Sequence, residues 1–591
     1  MSEEFLSVTI DDKRYSFPQG SKILDACLSV GIKIPTLCYL KDVSTNASCG
    51  ICLVEVKGAK HLVRSCITSL IPDMEIKTNT ERIRKNRRIN LELLMANHPL
   101  SCLTCDRNLN CELQNLAHDL GIQESRFPAT RKKRLPLDET SPAIVRDPNK
   151  CILCNRCIEV CASVQGVSAI DITHRGTESR VSTFMDKGLG NIACTNCGQC
   201  LLVCPTGSIT QKTQTQEVWS MLSDPNLVTL VQTAPAVRVA LGEELGMEEG
   251  SLVTGKMVSA LRHLGFSKVF DTQFAADLTI MEEGYELLKR MKEQGVLPMI
   301  TSCSPGWIKY IEHFYPELLA HLSTCKSPQQ MFGSIAKTYY AKKAGIDPKI
   351  IRVVSIMPCT AKKFEAKREE VDGAYRYWKE ENKEYAEPFF PDVDIALTTR
   401  ELGAMCREGG IDFSSLPVEM FDSPLGESTG AATLFGSTGG VMEAALRTLS
   451  EVVSKKPLVD VNFTEIRGME GLREAKVALG ETEIQVAVAH TLKNARVLLE
   501  QIKQGTSPYT FIEIMTCPGG CIGGGGQSIP SDAAAREKRS KSLYREDVRL
   551  EIRKSHENPE IQQLYKEFLL EPLGPLSHRL LHTGYVVRGV V

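Results

Sequence analysis

Two runs of cysteines in the first half of the chain restrict its fold more than any other feature. Both runs have the spacing C-x2-C-x2-C-x3-C, and only the second is followed by a proline, Pro205. The chain holds 22 cysteines, and nearly all of them fall in such short-spaced groups. This clustering indicates metal ligands rather than disulfide pairs. The chain must therefore fold so that sets of thiolates surround metal centres.

The spacing of these runs is that of bacterial two-cluster ferredoxins, in which the fourth cysteine of each run ligates the cluster of the other run. Ala162 stands where the first run would have its proline, a residue that shapes the turn and ligates nothing. We therefore expect residues 138–212 to form a ferredoxin-like domain with two [4Fe–4S] clusters. The first cluster is assigned Cys151, Cys154, Cys157 and Cys204, and the second Cys194, Cys197, Cys200 and Cys161.

Residues 1–80 are predicted to form a β-grasp domain with a [2Fe–2S] cluster. Two alternating segments, Leu6–Ile10 and Lys13–Phe17, indicate a hairpin, and Ser21 is expected to cap the helix that follows. The next four cysteines have the spacing C-x10-C-x2-C-x13-C, which resembles the [2Fe–2S] domain of complex I electron-input subunits and of long hydrogenases. A zinc site is the alternative. The ligands are Cys38, Cys49, Cys52 and Cys66.

Residues 81–137 begin with a basic amphipathic helix and continue into a second ligand group. Four residues there could ligate one metal centre: His98, Cys102, Cys105 and Cys111. Zinc also accepts one histidine and three cysteines, so the spacing alone does not separate the two metals. The same electron-input subunits carry a [4Fe–4S] cluster on ligands in this order, and the resemblance therefore implies that cluster here.

Residues 213–591 alternate apolar, β-rich runs with helical patterns, which is typical of an α/β fold with largely parallel sheets. The expected strands are Leu227–Val231, Met299–Ser302, Ile351–Ile356, Val393–Thr398 and Gln485–His490. The chain as a whole is therefore expected to be a multidomain α/β and α+β protein. Its C-terminal part should be a two-lobed catalytic domain with a fused region like a small subunit.

Three stretches of this second half resemble the three signature loops of [FeFe]-hydrogenases: Thr301–Trp307, Met357–Glu365 and Glu513–Gln527. The resemblance implies a cubane [4Fe–4S] cluster bridged by a cysteine to a two-iron subsite with CO and cyanide ligands, where protons become H2. Its cubane ligands would include Cys359, Cys517 and Cys521. Because glycine has no Cβ, the glycines of the third stretch are expected to let this bulky group approach the backbone.

The resemblance also implies roles for side chains around that group. Lys362 would donate a charge-assisted hydrogen bond to a cyanide. Cys303 would be the last proton donor, served by a relay of Glu283, Ser323 and Glu286. The bland alternative for the two glutamates is a solvated helix face. Residues expected to line the two-iron pocket are Ala234, Pro235, Gln329, Met357 and Met515.

The first loop departs from the family at one position. The usual T-S-C-C-P-x-W has a second cysteine that ligates the cubane, and this chain has Ser304 there. The fourth ligand could be Ser304, Cys303 or Cys325. We favour Cys325, because iron–sulfur sites prefer thiolate to an alcohol. Because of Ser304, the alternative function is a non-catalytic or sensory iron–sulfur relative with an altered cubane.

Composition limits the partners. The formal charge of −2 leaves no basic footprint for nucleic acid. No run of 18 uncharged apolar residues suggests a membrane span, and Met1–Phe5 does not begin a secretory signal, so a cytoplasmic location is expected. The chain resembles most the hydrogen-converting subunit of NAD(P)-linked multi-subunit hydrogenases. Because it has no nucleotide or flavin fingerprint, we expect ferredoxin or flavin- and NAD(P)-binding partner subunits, and maturation proteins for the two-iron subsite.

Overall fold

The computed structural model describes residues 4–130, 134–480 and 482–589, without the side chains of Lys383 and Ala386. Most of Met1–Phe5, on which the prediction about a secretory signal depended, lies outside these ranges. The chain divides into two compact units: Met1–Ile192 with Val203–Thr210, and Ala193–Leu202 with Gln211–Val591. The expected ferredoxin-like range 138–212 is therefore shared between the units. Within the described ranges, no helix is both long and apolar enough to cross a bilayer.

The first unit begins with a five-stranded sheet in the order β2-β1-β5-β3-β4, in which β1 and β5 are parallel. The predicted hairpin is confirmed, because β1 pairs antiparallel with β2. Ser21 does not cap α1: its hydroxyl donates to the Pro18 carbonyl, and the N-cap residue is Lys22. The elements are β1 Phe5–Ile10, β2 Lys13–Pro18, α1 Ile23–Ser29, β3 Leu53–Val56, β4 Val63–Arg64, β5 Glu75–Lys77, α2 Glu81–Ala96, α3 Glu112–Asp119, β6 Ile144–Arg146, α4 Arg156–Glu159, β7 Asp171–Thr173 and β8 Arg180–Ser182.

Within the described residues of the first unit, side chains form at least two apolar cores. Alternate residues of β1, Val8 and Ile10, point inward onto Ile23 and Cys27 of α1. The second core contains cluster-ligand candidates, because Leu91 and Met95 of α2 pack with Cys38, Cys49 and Cys111. Helix α2 therefore holds the loops of two predicted cluster sites together. The buried guanidinium of Arg87 helps, donating to the carbonyls of Ile51, Leu53 and Thr78.

The second unit is built on two four-stranded sheets. Its elements are α5 Gln199–Leu202, α6 Thr215–Ser223, β10 Val228–Thr233, α7 Leu241–Glu244, α8 Thr254–His263, β11 Lys268–Asp271, α9 Thr272–Lys292, β12 Met299–Ile300, α10 Pro305–Phe314, α11 Pro328–Ile335, α12 Ala341–Ala344, β13 Ile351–Met357, α13 Ala361–Glu365, α14 Gly373–Glu381, β14 Ile395–Thr398, α15 Thr399–Glu408, α16 Gly430–Leu434, α17 Gly440–Ser454, β15 Leu472–Leu479, β16 Thr482–His490, α18 Leu492–Lys503, β17 Phe511–Met515, α19 Ala533–Arg549, α20 Pro559–Leu564 and α21 Pro575–Leu581. The strand β9 Ile209–Gln211 precedes α6, and most of it belongs to the first unit, where it pairs with β6.

The sheets confirm the prediction of an α/β fold with largely parallel strands. One sheet has the order β11-β10-β13-β14 and is wholly parallel. The other has the order β12-β17-β16-β15, in which only β15 is antiparallel. Strands such as β13 are buried on both faces, as parallel strands are when helices cover both sides of a sheet. The carboxyl ends of β10, β13, β12 and β17 lead directly into the stretches singled out in the sequence.

Helix α9 is longer than the predicted Asp277–Arg290 and is almost entirely buried. Its N-cap Asp271 accepts a hydrogen bond from the Gln273 amide at 3.0 Å and is paired with Arg238 at 2.7 Å. Burial on nearly all sides excludes a solvated face for the glutamates of this helix. Glu283 is only 1% exposed, and Glu286 is also buried.

Candidate active site

One cavity of the second unit collects the ends of four parallel strands. Its apolar walls are supplied by residues that follow β10, begin α10 and α11, or end β13 and β17. All five predicted pocket residues, Ala234, Pro235, Gln329, Met357 and Met515, line it. Further lining residues that the sequence reasoning missed are Thr272, Pro305, Pro328, Phe435 and Thr516. Ligands commonly bind at the carboxyl ends of parallel strands, a rule that could have located this cavity.

Three cysteine thiols meet in this cavity: Cys359 after β13, and Cys517 and Cys521 after β17. Burial is the main cause that raises the pKa of each thiol, and for Cys521 the value reaches about 12. The proximity of Cys359 also raises the pKa values of Cys517 and Cys521. Without a cation, three such thiols stay protonated in an apolar pocket, whereas bound iron takes the place of their protons. The donor set therefore fits an iron–sulfur cluster.

The glycines beside Cys521 line the cavity and also allow close packing of loops. Gly520 has φ +90°, and a Cβ there would lie 2.6 Å from the Thr438 backbone nitrogen. A Cβ on Gly524 would lie 2.1 Å from the Pro358 carbonyl oxygen. Gly524 therefore lets the third loop pack against the second, which brings Cys521 and Cys359 to the same cavity. The expectation that these glycines keep Cβ atoms away from a bulky group stays a prediction.

Lys362 places an ammonium group in the cavity wall. Its Nζ lies 2.9 and 3.1 Å from the carboxylate oxygens of Glu365 and donates to the Cys303 carbonyl at 3.2 Å. Glu365 also accepts hydrogen bonds from Ser327 and Gln329 at 2.8 and 3.0 Å. The ammonium is therefore oriented by a carboxylate that is itself held in place. This arrangement suits a hydrogen bond to an anionic ligand in the cavity.

The three candidates for a fourth cubane ligand occupy different places. Ser304 and Cys303 line the cavity, and Cys325 does not. The Cys325 thiol is buried elsewhere, 3.8 Å from Oε2 of Glu286. Our preference for Cys325 is therefore corrected, because its side chain points to the glutamate and not to the three thiols. The Ser304 hydroxyl lies 2.7 Å from that of Thr516.

The predicted proton-relay residues lie close to one another, and one of them, Cys303, lines the cavity. Glu286 accepts from the Ser323 hydroxyl at 2.9 Å. Burial, followed by the negative charge of Glu286, raises the pKa of Glu283 to about 8, although the Ser323 hydroxyl partly opposes this rise. Burial, followed by Glu283, also raises the pKa of Cys303 well above its usual range. At neutral pH both Glu283 and Cys303 therefore hold a proton that they could transfer.

Glu286 has partners that the sequence reasoning missed. Arg290 donates to Glu286 Oε1 at 2.6 and 3.2 Å, and its position one helical turn later could have indicated the pair. The backbone amide of Thr324 donates to the same carboxylate at 3.0 and 3.2 Å. These donors keep the Glu286 carboxylate in one orientation.

The thiols of the predicted [2Fe–2S] site lie together in the first unit. The sulfurs of Cys52 and Cys66 are 3.3 Å apart. A hydrogen bond from Cys66 lowers the pKa of Cys52 to about 6. A hydrogen bond from Cys49 likewise lowers the pKa of Cys38 to about 5. Thiolate is the form that binds iron. The geometry brings the four expected residues together, while their role as ligands stays a prediction.

The imidazole ring of His98 has the burial and the unsatisfied nitrogens of a metal ligand. Neither ring nitrogen has a hydrogen-bond partner within the described part of the chain, although both atoms are buried. Burial also lowers the pKa of His98, so that the ring is neutral. Neutral imidazole is a metal ligand, and a buried ring with two unsatisfied nitrogens is otherwise costly. The ring of His98 therefore fits a metal ligand, while the assignment of Cys102, Cys105 and Cys111 as the other ligands of that metal stays a prediction.

The eight ferredoxin-type cysteines are divided between the two units. Cys151, Cys154, Cys157 and Cys204 line one cavity of the first unit, as the assigned pairing of the fourth cysteine requires. Cys194, Cys197 and Cys200 belong to the second unit, and Cys161 belongs to the first. The assignment of Cys161 to the second cluster stays a prediction. Within the second unit, Gly525 packs closely against Cys197: a Cβ on Gly525 would lie 2.3 Å from the carbonyl oxygen of Cys197.

Sequence comparison matches five families along the chain. Residues 228–525 match the family described as iron only hydrogenase large subunit, C-terminal domain, and residues 533–588 match iron hydrogenase small subunit. Residues 3–81 match a 2Fe-2S iron–sulfur cluster binding domain. Residues 87–126 match the NADH-ubiquinone oxidoreductase-G iron–sulfur binding region, and residues 141–210 match the ferredoxin-like domain of NADH-quinone oxidoreductase subunit 3.

Individual relatives resemble nearly the whole chain. The NADP-reducing hydrogenase subunit HndD of Solidesulfovibrio fructosivorans is 49% identical over 597 residues, covering 99% of each chain. Iron hydrogenase 1 of Clostridium pasteurianum is 35% identical over 98% of this chain and 99% of its own. A solved apo [FeFe]-hydrogenase HydA1 variant from Chlamydomonas reinhardtii superposes with a TM-score of 0.55 at 42% identity, covering 64% of this chain and 99% of its own.

Proposed function

The chain belongs to the iron-only, or [FeFe]-, hydrogenase family, which interconverts protons, electrons and H2, and on that premise we propose how its own residues serve the reaction. The observation that carries the proposal is the cavity where Cys359, Cys517 and Cys521 face Lys362. A cubane cluster with its two-iron subsite, when bound there, supplies the electron exchange and the site where protons combine. The remaining work of holding, orienting and supplying protons belongs to the protein.

The cubane is held by the three cavity cysteines and by Ser304. Ser304 is at the fourth-ligand position of the first loop and lines the cavity, which Cys325 does not. The Thr516 amide donates to Ser304 Oγ at 3.3 Å, and the Thr516 hydroxyl lies 2.7 Å away. Hydrogen bonds to the charged form of a group stabilise that form. The Thr516 amide therefore favours the deprotonated serine that a metal requires, and the Thr516 hydroxyl can donate to that serine once it has lost its proton.

Protons reach the cavity through Glu286, Ser323, Glu283 and Cys303. Glu283 is the central member, because its raised pKa of about 8 allows it to hold and release a proton near neutral pH. No hydrogen bond in the part of the chain that the structure describes fixes either of its carboxylate oxygens, although the Ser323 hydroxyl is near enough to lower its pKa. The carboxyl group therefore lies between Ser323 and Cys303 without being held in one orientation by either. Cys303, which lines the cavity, delivers the proton.

Four accessory clusters, one [2Fe–2S] and three [4Fe–4S], would carry the electrons when bound to the candidate ligands. Full occupancy of these clusters would require about 14 iron atoms. The thiols grouped at the predicted [2Fe–2S] site and in the cavity of Cys151 support this proposal, and so do the three matched iron–sulfur families. A chain of clusters of this length implies that electrons are exchanged with another protein.

The external partner is a flavin- and NAD(P)-binding subunit, with ferredoxin as the alternative. This proposal is supported by the name of the relative, which is a subunit of an NADP-reducing hydrogenase. It is also supported by the sequence of this chain, which has no dinucleotide fingerprint of its own. Purification from the native cell under anaerobic conditions should recover the chain with a flavin-containing protein. Recovery of the chain alone, active with reduced ferredoxin and inactive with NAD(P)H, would favour the alternative.

The activity is tested on the full chain, produced with maturation proteins and kept without oxygen. We expect H2 evolution from reduced methyl viologen, together with infrared bands from iron-bound CO and cyanide. The matched variants are Cys517→Ala, which removes a cavity thiol, and Cys406→Ala, which removes a buried thiol outside the cavity. Cys517→Ala should lose both the bands and the activity, and Cys406→Ala should keep both. Full activity in Cys517→Ala would overturn the assignment of the site.

A further inference from the structure

The C-terminal segment places a histidine against the residues that surround Glu286. The Lys326 amide donates to the Leu581 carbonyl at 2.7 Å, and the Thr583 amide donates to the Thr324 carbonyl at 2.8 Å. This short antiparallel contact brings His582 beside Thr324. Nδ1 of His582 lies 2.7 Å from the Thr324 hydroxyl, which in turn lies 3.2 Å from Oε2 of Glu286. A continuous line of hydrogen bonds therefore joins His582 to Glu286.

A buried carboxylate orients the other side of the ring. Nε2 of His582 lies 3.1 Å from Oε2 of Glu282, which is fully buried. Glu282 also accepts from the Tyr565 hydroxyl at 2.5 Å and from the Leu573 amide at 2.9 Å. A carboxylate with such fixed partners holds the ring of His582 in one orientation. Both ring nitrogens of His582 therefore have a hydrogen-bond partner, Thr324 on one side and Glu282 on the other.

Arg290, the charged partner of Glu286, cannot supply protons to it. Arg290 covers the carboxylate, but a guanidinium keeps its protons throughout the physiological pH range. Ser323 leads inward to the cavity. Among the partners of Glu286 in residues 4–130, 134–480 and 482–589, only Thr324 leads on to an imidazole, a side-chain type that serves as a proton shuttle, and that imidazole is His582.

We propose that His582, oriented by Glu282, is the residue through which Glu286 exchanges protons with the solvent; this inference rests on the relay in the proposed function. The proton on Nδ1 of His582 moves to Oγ1 of Thr324 as the Thr324 hydroxyl proton moves to Oε2 of Glu286. One proton leaves the imidazole and one arrives at the carboxylate, so the step balances. In H2 oxidation the same transfers run in reverse.

The outer end of this route is His578, which lies in α21 and is exposed. The centroids of the His578 and His582 rings are 4.2 Å apart, and the rings are tilted by 39° to each other. Two positive charges at this distance repel each other, so the pair holds one proton in preference to two. A proton taken up from the solvent at His578 can therefore be passed on to His582 without both rings remaining charged.

The test uses His582→Ala in the full matured enzyme, with external imidazole as the probe. We expect H2 evolution to fall by about 10²-fold, the lower range for a lost acid–base group, while the infrared bands and the iron content stay those of the native enzyme. Millimolar imidazole should restore a large part of the rate, because it can occupy the vacated site and carry the proton. A structural role would not respond to imidazole in this way.

A second histidine provides the matched control. His556 has the same kind of surroundings, with Nε2 at 3.0 Å from Glu451 and Nδ1 at 3.3 Å from Thr448, and it makes no contact with Glu286. His556→Ala should keep the native rate and gain nothing from imidazole. If His582→Ala fails to fold, Thr324→Val and Thr324→Ser replace it. The valine variant should be slow and the serine variant close to native.

Different results would contradict the route through His582 and the relay through Glu283. If Glu283→Gln is slow while His582→Ala and Thr324→Val keep the native rate, the relay stands and our inference about His582 is wrong. If Glu283→Gln keeps the native rate, the relay itself is wrong. A slow His582→Ala that imidazole does not rescue would assign the residue to structure and overturn the inference.

Discussion

Oγ of Ser304 lies 2.7 Å from Oγ1 of Thr516, and the Thr516 amide donates to the same oxygen. The residue at the fourth-ligand position is therefore a hydroxyl with one amide donor and a hydroxyl neighbour. An alcohol competes poorly with thiolate for iron because its pKa is much higher. The hydrogen bond from the Thr516 amide acts in the opposite direction, since it stabilises the oxyanion, and the Thr516 hydroxyl can do the same once Ser304 has lost its proton.

The first prediction follows from this pair. In the chain produced without maturation proteins, Ser304→Ala should leave the cubane on three thiolates, so that oxidation releases one iron and a three-iron signal appears in electron paramagnetic resonance. Ser304→Cys should keep the four-iron form and resist oxidation better than the native chain. Cys325→Ala is the control and should behave as the native chain does. A native cubane signal in Ser304→Ala, together with a lost one in Cys325→Ala, would restore Cys325 as the ligand.

The second prediction concerns Glu283. Glu283→Gln removes a carboxyl group that can hold a proton near neutral pH and should slow H2 evolution by about 10²–10⁴-fold. The infrared bands should persist, because the residue does not line the cavity. Glu293→Gln, at the exposed C-terminal end of the same helix, is the matched control and should keep the native rate. Equal rates for the two variants would rule out Glu283 as a relay residue.

The third prediction concerns His98, whose two buried ring nitrogens have no hydrogen-bond partner within the described ranges. His98→Ala should lose or convert one [4Fe–4S] cluster, up to about four iron atoms, and leave the signals of the other accessory clusters unchanged. His98→Cys should retain the cluster, since thiolate is an alternative ligand. His118→Ala, an exposed histidine in α3, should change nothing. Zinc in place of iron at this site would contradict the cluster assignment.

The fourth prediction concerns stability and pH. Burial raises the pKa of Asp277 from 3.8 to about 7, against the hydrogen bonds from Asn558 and Thr429. Between these two values the folded protein keeps a proton that the unfolded chain releases. Stability should therefore fall as pH rises through this window, by at most about 1.4 kcal/mol per pH unit from this group.

Asp277→Asn isolates that contribution, because the amide stays neutral and can still accept from the Thr429 amide and donate to its hydroxyl. The apparent melting temperature of the native chain, measured at one scan rate, should drop between pH 5 and pH 7. In Asp277→Asn the drop should be smaller. Parallel curves for the two proteins would show that Asp277 is ionised throughout.

The cluster-binding regions were the part of this protein most open to prediction. Cysteine spacing is a covalent property of the chain, and short loops around a cluster permit few spacings. The runs at Cys151 and Cys194, and the alternation of apolar strands with helices in the second half, therefore indicated the fold class and the family before any contact was known. The pocket residues Met357 and Met515 followed from the same loops, because they are the last residues of β13 and β17.

Other features depended on contacts between distant parts of the chain. Only the packing of α9 showed that Glu283 is buried, because the charge pattern of a helix does not reveal what covers it. The position of Cys325, away from the cavity thiols, reversed a preference that rested on ligand chemistry alone. His582 and Glu282 are 300 positions apart, and no local pattern links them. Sequence thus determined the family and the order of the iron–sulfur domains along the chain, whereas the tertiary structure decided which side chains face one another, because burial and hydrogen bonding arise only when remote segments pack.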